Sequence, residues 1–184
     1  MDFGFAGRRM TADEFFALGE TEERLELYDG VVVVSPSAFP IHQMIVQEVQ
    51  VQLGLAERSG IRIRVVPDCD LQLTPMRVYR PDISVYAREA LPKIPKRLTT
   101  PPTLIVEVLS AGTKAADLIT KRDDYDDFGV GEYWTIDSSD GRVRIWRRDG
   151  DALAESVVRG DVLECRAIPG FTLDLKPIRD LFKP

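Results

Sequence analysis

Two patterns of apolar residues alternate along the chain. Short runs rich in Val and Ile, bounded by Pro or Gly, are typical of β-strands, whereas longer segments with apolar residues at helical spacing predict amphipathic helices. In chain order the patterns predict a helix, strands, a second helix, several strands, a third helix and further strands. This order is typical of the α/β (α+β) class, in which helices pack beside a mixed β-sheet.

The ends of the predicted helices carry recognisable signals. Thr11 followed by Glu14 forms a capping box at the start of the first helix, and Gly129 stands where a third helix would end. The predicted helices cover residues 11–19, 40–57, 114–128 and 177–182.

The strand predictions begin with a hairpin. Asp29-Gly30 is a strong turn signal between residues 24–28 and 31–34. Alternation along the first strand turns Glu26 away from its apolar neighbours, so Glu26 either reaches a polar site or is an exposed acid. Further strands are predicted over residues 61–66, 82–85, 103–110, 133–137 and 142–146, with a last hairpin joining residues 154–158 to 162–165. Residues 68–73 form either another strand or an irregular extension.

Two predicted strands each place one carboxylate in an apolar run. Asp82 begins a strand behind Pro81, and Glu107 is the single charged residue of the run 103–110. A lone acid within a strand is costly unless something cationic meets it. If the two strands are neighbours, the two acids are expected to share a cation.

The third predicted helix adds groups that suit such a cation site. Asp117, Lys121 and Tyr125 are spaced four apart, which puts their side chains on one helix face. Two carboxylates can hold a hard divalent ion while a lysine stabilises charge, as a metal-dependent phosphodiesterase requires. His42, the only histidine, lies near the start of the second helix, where it could contact an anion or serve structurally.

Composition narrows the class of protein further. The 184 residues, of which 44% are hydrophobic and 29% charged, predict one domain over residues 1–184 with residues 1–10 as a flexible lead. The two cysteines lack zinc-like spacing, and no apolar run approaches the roughly 20 residues of a membrane span. We therefore expect a cytoplasmic protein with no membrane contact and no organic cofactor. The net charge of −6 counts against a passive nucleic-acid coat, but a nuclease would gain positive charge from its metal.

A series of short motifs runs through most of the chain: Glu26-Leu27-Tyr28-Asp29-Gly30, Ser35-Pro36-Ser37, His42, Arg80-Pro81-Asp82, Val106-Glu107-Val108-Leu109-Ser110, Asp117, Lys121, Tyr125, Gly129-Val130 and Glu132-Tyr133-Trp134. Their order and spacing, over about residues 10–182, resemble the Uma2 family, also called DUF820, of the PD-(D/E)XK nuclease superfamily.

The resemblance implies a restriction-endonuclease-like mixed β-sheet flanked by helices, with extra C-terminal hairpins after residue 130. It implies an endonuclease that hydrolyses DNA with Mg²⁺ or Mn²⁺, in which Asp82, Glu107 and Lys121 are catalytic. The metal ligands would be Asp82, Glu107 and the carbonyl of Val108. The supporting or substrate-contacting groups would be Glu26, His42, Asp117 and Tyr125.

One position departs from the superfamily pattern. The superfamily places a lysine two residues after the glutamate, and here that residue is Leu109. Lys121 could supply the missing ammonium from the helix, or it could be a structural partner that neutralises Asp82 and Glu107. The alternative function is a catalytically inactive nuclease-fold module that binds nucleic acid or a protein partner.

A homodimer is expected if the protein cuts duplex DNA. One metal site per chain cuts both strands most simply when two copies are related by a two-fold axis, and two-fold dimers are the commonest soluble oligomers. Candidate interface residues are Trp134, Trp146, Val157 and Val158, unless they only cover the core.

Overall fold

The structure is a computed structural model that describes residues 4–110 and 116–183, with backbone alone at residues 116 and 117. Its helices are α1 (Ala12–Ala17), α2 (Pro40–Arg58), a π-helical segment (Ala116–Lys121) that runs into α3 (Arg122–Phe128), and α4 (Lys176–Asp180). Its strands are β1 (Leu25–Tyr28), β2 (Val31–Val34), β3 (Ile63–Pro67), β4 (Leu71–Thr74), β5 (Arg77–Tyr79), β6 (Ile83–Ala87), β7 (Leu104–Leu109), β8 (Glu132–Asp137), β9 (Val143–Asp149), β10 (Ala152–Ser156), β11 (Val162–Glu164) and β12 (Thr172–Asp174). Within the described ranges, no helix combines the length and apolar character needed to cross a membrane.

A six-stranded mixed sheet forms the centre of the fold. Its strand order is β10-β9-β8-β7-β6-β3, in which β7 and β8 are parallel and the other neighbours are antiparallel. All six residues of β7 are buried, as its continuous apolar sequence predicts. The mixed sheet with helices beside it confirms the predicted α/β (α+β) class.

Helices cover both faces of this sheet. On one face, α2 contributes Ile45, Val49 and Leu53 to the largest apolar core, which also contains residues of β11, β12 and α4. On the other face, Tyr125 of α3 packs in a second core with Tyr133 of β8. The apolar residues of β7 therefore alternate between two cores, and Glu107 shares the face of Ile105, on the side of the second core.

A smaller antiparallel sheet, with the order β2-β1-β5-β4, is covered by α1. At the turn between β1 and β2, Asp29 and Gly30 have φ values of 47° and 79°, the left-handed values that a tight Asp-Gly hairpin requires. Leu25 and Leu27 are buried against α1, which leaves Glu26 on the opposite face of β1, as predicted.

The predicted last hairpin, which joined residues 154–158 to 162–165, is wrong. β10 pairs with β9, across a turn at Gly150, where φ is 62°. β11 instead pairs with β12 in a separate two-stranded sheet, in which Leu163 lies opposite Leu173. Both leucines are buried in the core beneath α2, and this burial favours the long-range pairing over the local one.

Two further expectations need correction. In the lead predicted to be flexible, Gly7 N donates to Val32 O and Met10 N donates to Gly30 O, both at 2.8 Å. This segment covers the outer edge of β2 and satisfies backbone groups that an exposed edge would leave unpaired.

The predicted third helix opens with π-helical turns rather than α-helical ones, and its expected first residues, 114 and 115, lie outside the described residues.

We expect Gly131→Ala to destabilise the protein. A Cβ atom at Gly131 would lie 2.6 Å from the carbonyl oxygen of Thr103, so the entry to β8 would have to shift. Overpacking of this kind lowers the free energy of unfolding by about 1–3 kcal/mol. The matched control is Gly54→Ala in α2, where a Cβ atom meets no described atom within 4 Å and should raise stability by about 0.5–1 kcal/mol. Urea unfolding of both variants checks this, and equal stability of Gly131→Ala and the wild type would contradict it.

Candidate active site

Three buried carboxylates converge where the smaller sheet meets the central sheet. Glu26 lies on β1, Asp82 immediately precedes β6, and Glu107 lies on β7. Their side chains line one cleft of about 40 Å³ together with the start of α2.

Strand pairing brings Asp82 and Glu107 side by side. The register of β6 on β7 pairs Ile83 with Val106, so Asp82 comes opposite Glu107. The amide of Asp82 donates to Glu107 Oε2 at 3.2 Å, and the amide of Val108 donates to Asp82 Oδ2 at 2.8 Å. Main-chain hydrogen bonds therefore fix both carboxylates in the position that the shared-cation prediction requires.

Lys121 connects two of these carboxylates. Its Nζ lies 2.9 Å from Glu26 Oε1 and 3.1 Å from Glu107 Oε1, and the lysine side chain is 5% exposed. Tyr125, four residues further, donates from its hydroxyl to Glu107 Oε1 at 3.0 Å. The predicted helix face thus brings Lys121 and Tyr125 to the site. The third residue of that prediction, Asp117, has a side chain outside the described part of the chain.

Asp82 has two cationic or polar neighbours of its own. His42 Nε2, from the start of α2, lies 3.3 Å from Asp82 Oδ2, and the histidine side chain is buried. The guanidinium NH2 of Arg24 lies 3.2 Å from Asp82 Oδ1 and donates to the carbonyl of Arg80 at 2.6 Å. Sequence reasoning missed Arg24, although alternation along the strand places it two residues before Glu26 on the same face.

The donor chemistry of the cleft fits a hard divalent cation. Among the described residues that line it, three carboxylates face two fixed cations, Arg24 and Lys121, which leaves one negative charge before His42 is counted. The Val108 carbonyl shares a strand edge with the amide that bonds Asp82, so it faces the same way. Two carboxylates, a carbonyl and water are typical Mg²⁺ ligands. Within the described residues, no group of three His, Cys, Asp or Glu side chains is arranged to hold a metal ion.

Comparison with known proteins gives this geometry a context. The sequence matches the profile of Uma2, described as "Putative restriction endonuclease", over residues 12–176. The chain belongs to the Uma2 family. A solved structure described as "a putative nuclease belonging to DUF820 from Anabaena variabilis ATCC 29413" has a similar fold, with a TM-score of 0.79. The two sequences are 20% identical over 93% of this Uma2 chain and 98% of the other chain. No curated protein matches the sequence.

Two buried carboxylates of this Uma2 protein, Asp82 and Glu26, have lowered pKa values. Burial alone would raise the pKa of Asp82, but the hydrogen bond with His42, together with Arg24, holds it below its ordinary value. Burial likewise opposes ionisation of Glu26, yet Lys121 and the Arg80 amide keep its pKa below the usual range. Burial and the nearby charge of Glu107 raise the pKa of Tyr125 well above its ordinary value, so its hydroxyl stays protonated and donates.

A second set of polar residues supports α3 beneath the site. Asp124 belongs to the acidic run Asp123-Asp124-Tyr125-Asp126-Asp127, and the structure buries its side chain. The Tyr79 hydroxyl donates to this carboxylate, and Arg77 NH1 lies 2.7 Å from it. The ring of Tyr79 also lies beneath Lys121, 5.6 Å from Nζ. These contacts anchor the helix that delivers Lys121.

We expect acid to destabilise the protein through Asp82 and Glu26. Because both folded pKa values are lowered, these carboxylates contribute their full stability above their unfolded pKa values, near about 4. That stability is lost as the pH falls below about 4, through the folded values. Asp82→Asn and Glu26→Gln should each flatten the decline by up to about 1.4 kcal/mol per pH unit.

Urea unfolding between neutral and acidic pH measures these slopes. The control is Glu20→Gln, which changes an exposed carboxylate and should keep the wild-type slope. If both site variants keep the wild-type pH dependence of the free energy of unfolding, the ionised forms of Asp82 and Glu26 are not stabilised in the folded state.

Proposed function

We propose that the protein is a divalent-metal-dependent endonuclease that hydrolyses phosphodiester bonds in DNA. The observation that carries this proposal is the pairing of Asp82 and Glu107 on neighbouring strands, with Lys121 Nζ 3.1 Å from Glu107. The nuclease descriptions of the Uma2 family and of the Anabaena protein agree with the proposal.

Some residues of the cleft would bind the metal ion, and Lys121 would act on the substrate. Asp82, Glu107 and the carbonyl of Val108 would hold Mg²⁺ or Mn²⁺, which, when bound, activates water and neutralises charge on the phosphate. Lys121 stabilises the negative charge that develops on the phosphate oxygens during attack. Its ammonium takes the place of the strand lysine that the superfamily pattern puts at Leu109, whose side chain is buried.

The remaining residues hold these groups in position. Glu26 accepts from Lys121 and from the Arg80 amide, both at 2.9 Å, so it fixes the ammonium and the chain just before Asp82. Tyr125 orients Glu107 through its hydroxyl, and His42 orients Asp82. Asp117 remains a candidate for the same supporting role.

A catalytically inactive module that binds nucleic acid or a protein partner is the second candidate function. It is favoured by the contacts of the carboxylates with protein cations, since Lys121 lies against Glu107 and Arg24 lies against Asp82. Mn²⁺ titration with a thermal-shift readout separates the two functions. A nuclease centre should be stabilised by Mn²⁺, and Asp82→Asn should abolish this stabilisation.

The nuclease proposal predicts that substitutions of the site residues lower the cleavage activity. Asp82→Asn and Glu107→Gln should each lower plasmid cleavage in Mg²⁺ or Mn²⁺ about a hundredfold or more, because each removes a metal carboxylate. Lys121→Met should cause a comparable loss because it removes the charge beside the phosphate. Arg62→Lys is the control, since Arg62 pairs with Glu89 on the surface, and it should cut like the wild type. Equal cleavage by all four variants would refute the assignment.

We also propose a homodimer, through a surface other than the one the sequence indicated. Trp134 and Trp146 are 0% and 2% exposed, so they are buried in their own chain and cannot form an interface. The exposed side of α2 and its preceding residue carries several apolar residues, with the half-buried Glu48 among them. Its exposed apolar residues are Phe39, Met44, Val51 and Leu55. Phe and Met are enriched in interface cores, and a second copy of this face would cover these exposed side chains.

Light scattering at micromolar concentration tests the dimer. The wild type should have about twice the 20.7 kDa mass of the chain, and Val51→Glu should be monomeric because it puts like charges in the interface. Val157→Glu is the matched control, since Val157 is 77% exposed on the late strands, and it should remain dimeric. A wild-type mass of one chain would refute the dimer, and monomers from Val157→Glu alone would move the interface to the late strands.

A further inference from the structure

One wall of the cleft contains Arg24, whose guanidinium has a buried N–H group without a hydrogen-bond partner among the described residues. Arg24 points its guanidinium NH2 at three oxygens: the Arg80 carbonyl at 2.6 Å, Asp82 Oδ1 at 3.2 Å and Asp68 Oδ1 at 3.6 Å. Its Nε is out of contact with solvent, yet the described residues provide it with no hydrogen-bond partner. A buried donor without a partner costs about 1–3 kcal/mol and is rare in folded proteins.

The contacts of NH2 show what fixes this guanidinium. The bond to the Arg80 carbonyl is short, whereas the 3.2 Å contact with Asp82 is long for a charge-assisted hydrogen bond. The main chain therefore sets the orientation of Arg24 more than the carboxylate does. An arginine held in this way by one nitrogen keeps its remaining N–H groups in a fixed plane, which lowers the cost of ordering it around a ligand.

The position of Arg24 suits an anionic ligand. Lys121 lies deep in the cleft with its side chain 5% exposed, whereas the Arg24 side chain is 27% exposed. Glu26, Asp82 and Glu107 would repel a phosphodiester that approaches the same cleft. A cation nearer to solvent is needed to offset this repulsion, and the planar guanidinium matches the oxygens of a phosphate group better than a lysine does.

We propose that Arg24 is a substrate-binding residue whose guanidinium donates to a non-bridging oxygen of a nucleic-acid phosphodiester in the cleft. This inference rests on the proposed nuclease function and adds a contact that neither the sequence pattern nor the superfamily motif assigns. The guanidinium is charged at any pH that the fold survives, so the contact requires no proton transfer.

The decisive measurement uses the wild-type protein without metal, so that no substrate is cleaved. In ¹⁵N-labelled protein with EDTA, the Arg24 Nε–H signal is assigned by its loss in Arg24→Lys. Titration with the dinucleotide thymidylyl-thymidine, a phosphodiester, should shift this signal to saturation. The Nε–H signal of Arg148 is the internal control, because that group already donates to the Val130 carbonyl at 2.9 Å and should not move.

A parallel titration with inorganic phosphate separates a phosphodiester site from a general anion site. Shifts with both probes, or with the dinucleotide alone, support the proposal. A shift with inorganic phosphate alone overturns the phosphodiester assignment, and an Arg24 signal unmoved by either probe overturns the site.

Variants provide a second measurement that does not depend on cleavage. Arg24→Lys should weaken binding of the dinucleotide about tenfold, since it removes one charge-assisted hydrogen bond but retains the charge beside Asp82. Arg62→Lys should bind like the wild type, and unchanged affinity in Arg24→Lys would also overturn the proposal. Because these readouts use no metal, a protein that binds the dinucleotide through Arg24 but never cleaves DNA would refute the endonuclease and retain the site. Cleavage of DNA together with an unshifted Arg24 Nε–H signal would refute the Arg24 site and retain the endonuclease.

Discussion

The buried ammonium of Lys121 is the contact on which the site depends. It lies between Glu26 of the smaller sheet and Glu107 of the central sheet, at 2.9 and 3.1 Å. An uncompensated charge in such a place is costly, and removing one partner of a buried pair typically costs about 3–5 kcal/mol. Removing Lys121, Glu26 or Glu107 would therefore leave a buried charge with fewer partners. The two sheets and the helix that follows β7 are tied together at the point where the carboxylates face the cleft.

The π-helical turns before α3 determine where this ammonium arrives. Lys121 ends the segment Ala116–Lys121, and Tyr125, one turn further, reaches the same carboxylate of Glu107. Such turns are rare and often lie at functional sites, where they change the direction of the side chains that follow. The strand itself offers no cation, because Leu109 is buried two residues after Glu107. The ammonium that contacts Glu107 comes from the neighbouring helix.

The sequence predicted those parts of the site that depend on local patterns. Asp82 and Glu107 are conspicuous because each interrupts an apolar strand, and a helical spacing of four links Lys121 to Tyr125. Alternation places Arg24 on the same face as Glu26, but its contact could not be predicted, because the carbonyl that orients it follows β5, a strand of three residues without a clear sequence signal. The pairing of β11 with β12 also escaped prediction, since it depends on burial of distant leucines rather than on a local turn.

The charges of the cleft connect its stability with its proposed chemistry. Among the described lining residues, Glu26, Asp82 and Glu107 exceed the fixed cations by one negative charge, with His42 left aside. Bound alone, a divalent ion would change this net charge from −1 to +1, and a phosphodiester would change it from −1 to −2. The two together add one positive charge and bring the buried site to balance, which is the arrangement that a poorly solvated cleft favours. This count predicts that a divalent ion strengthens binding of a phosphodiester, and the reverse, beyond the metal-free binding proposed for Arg24.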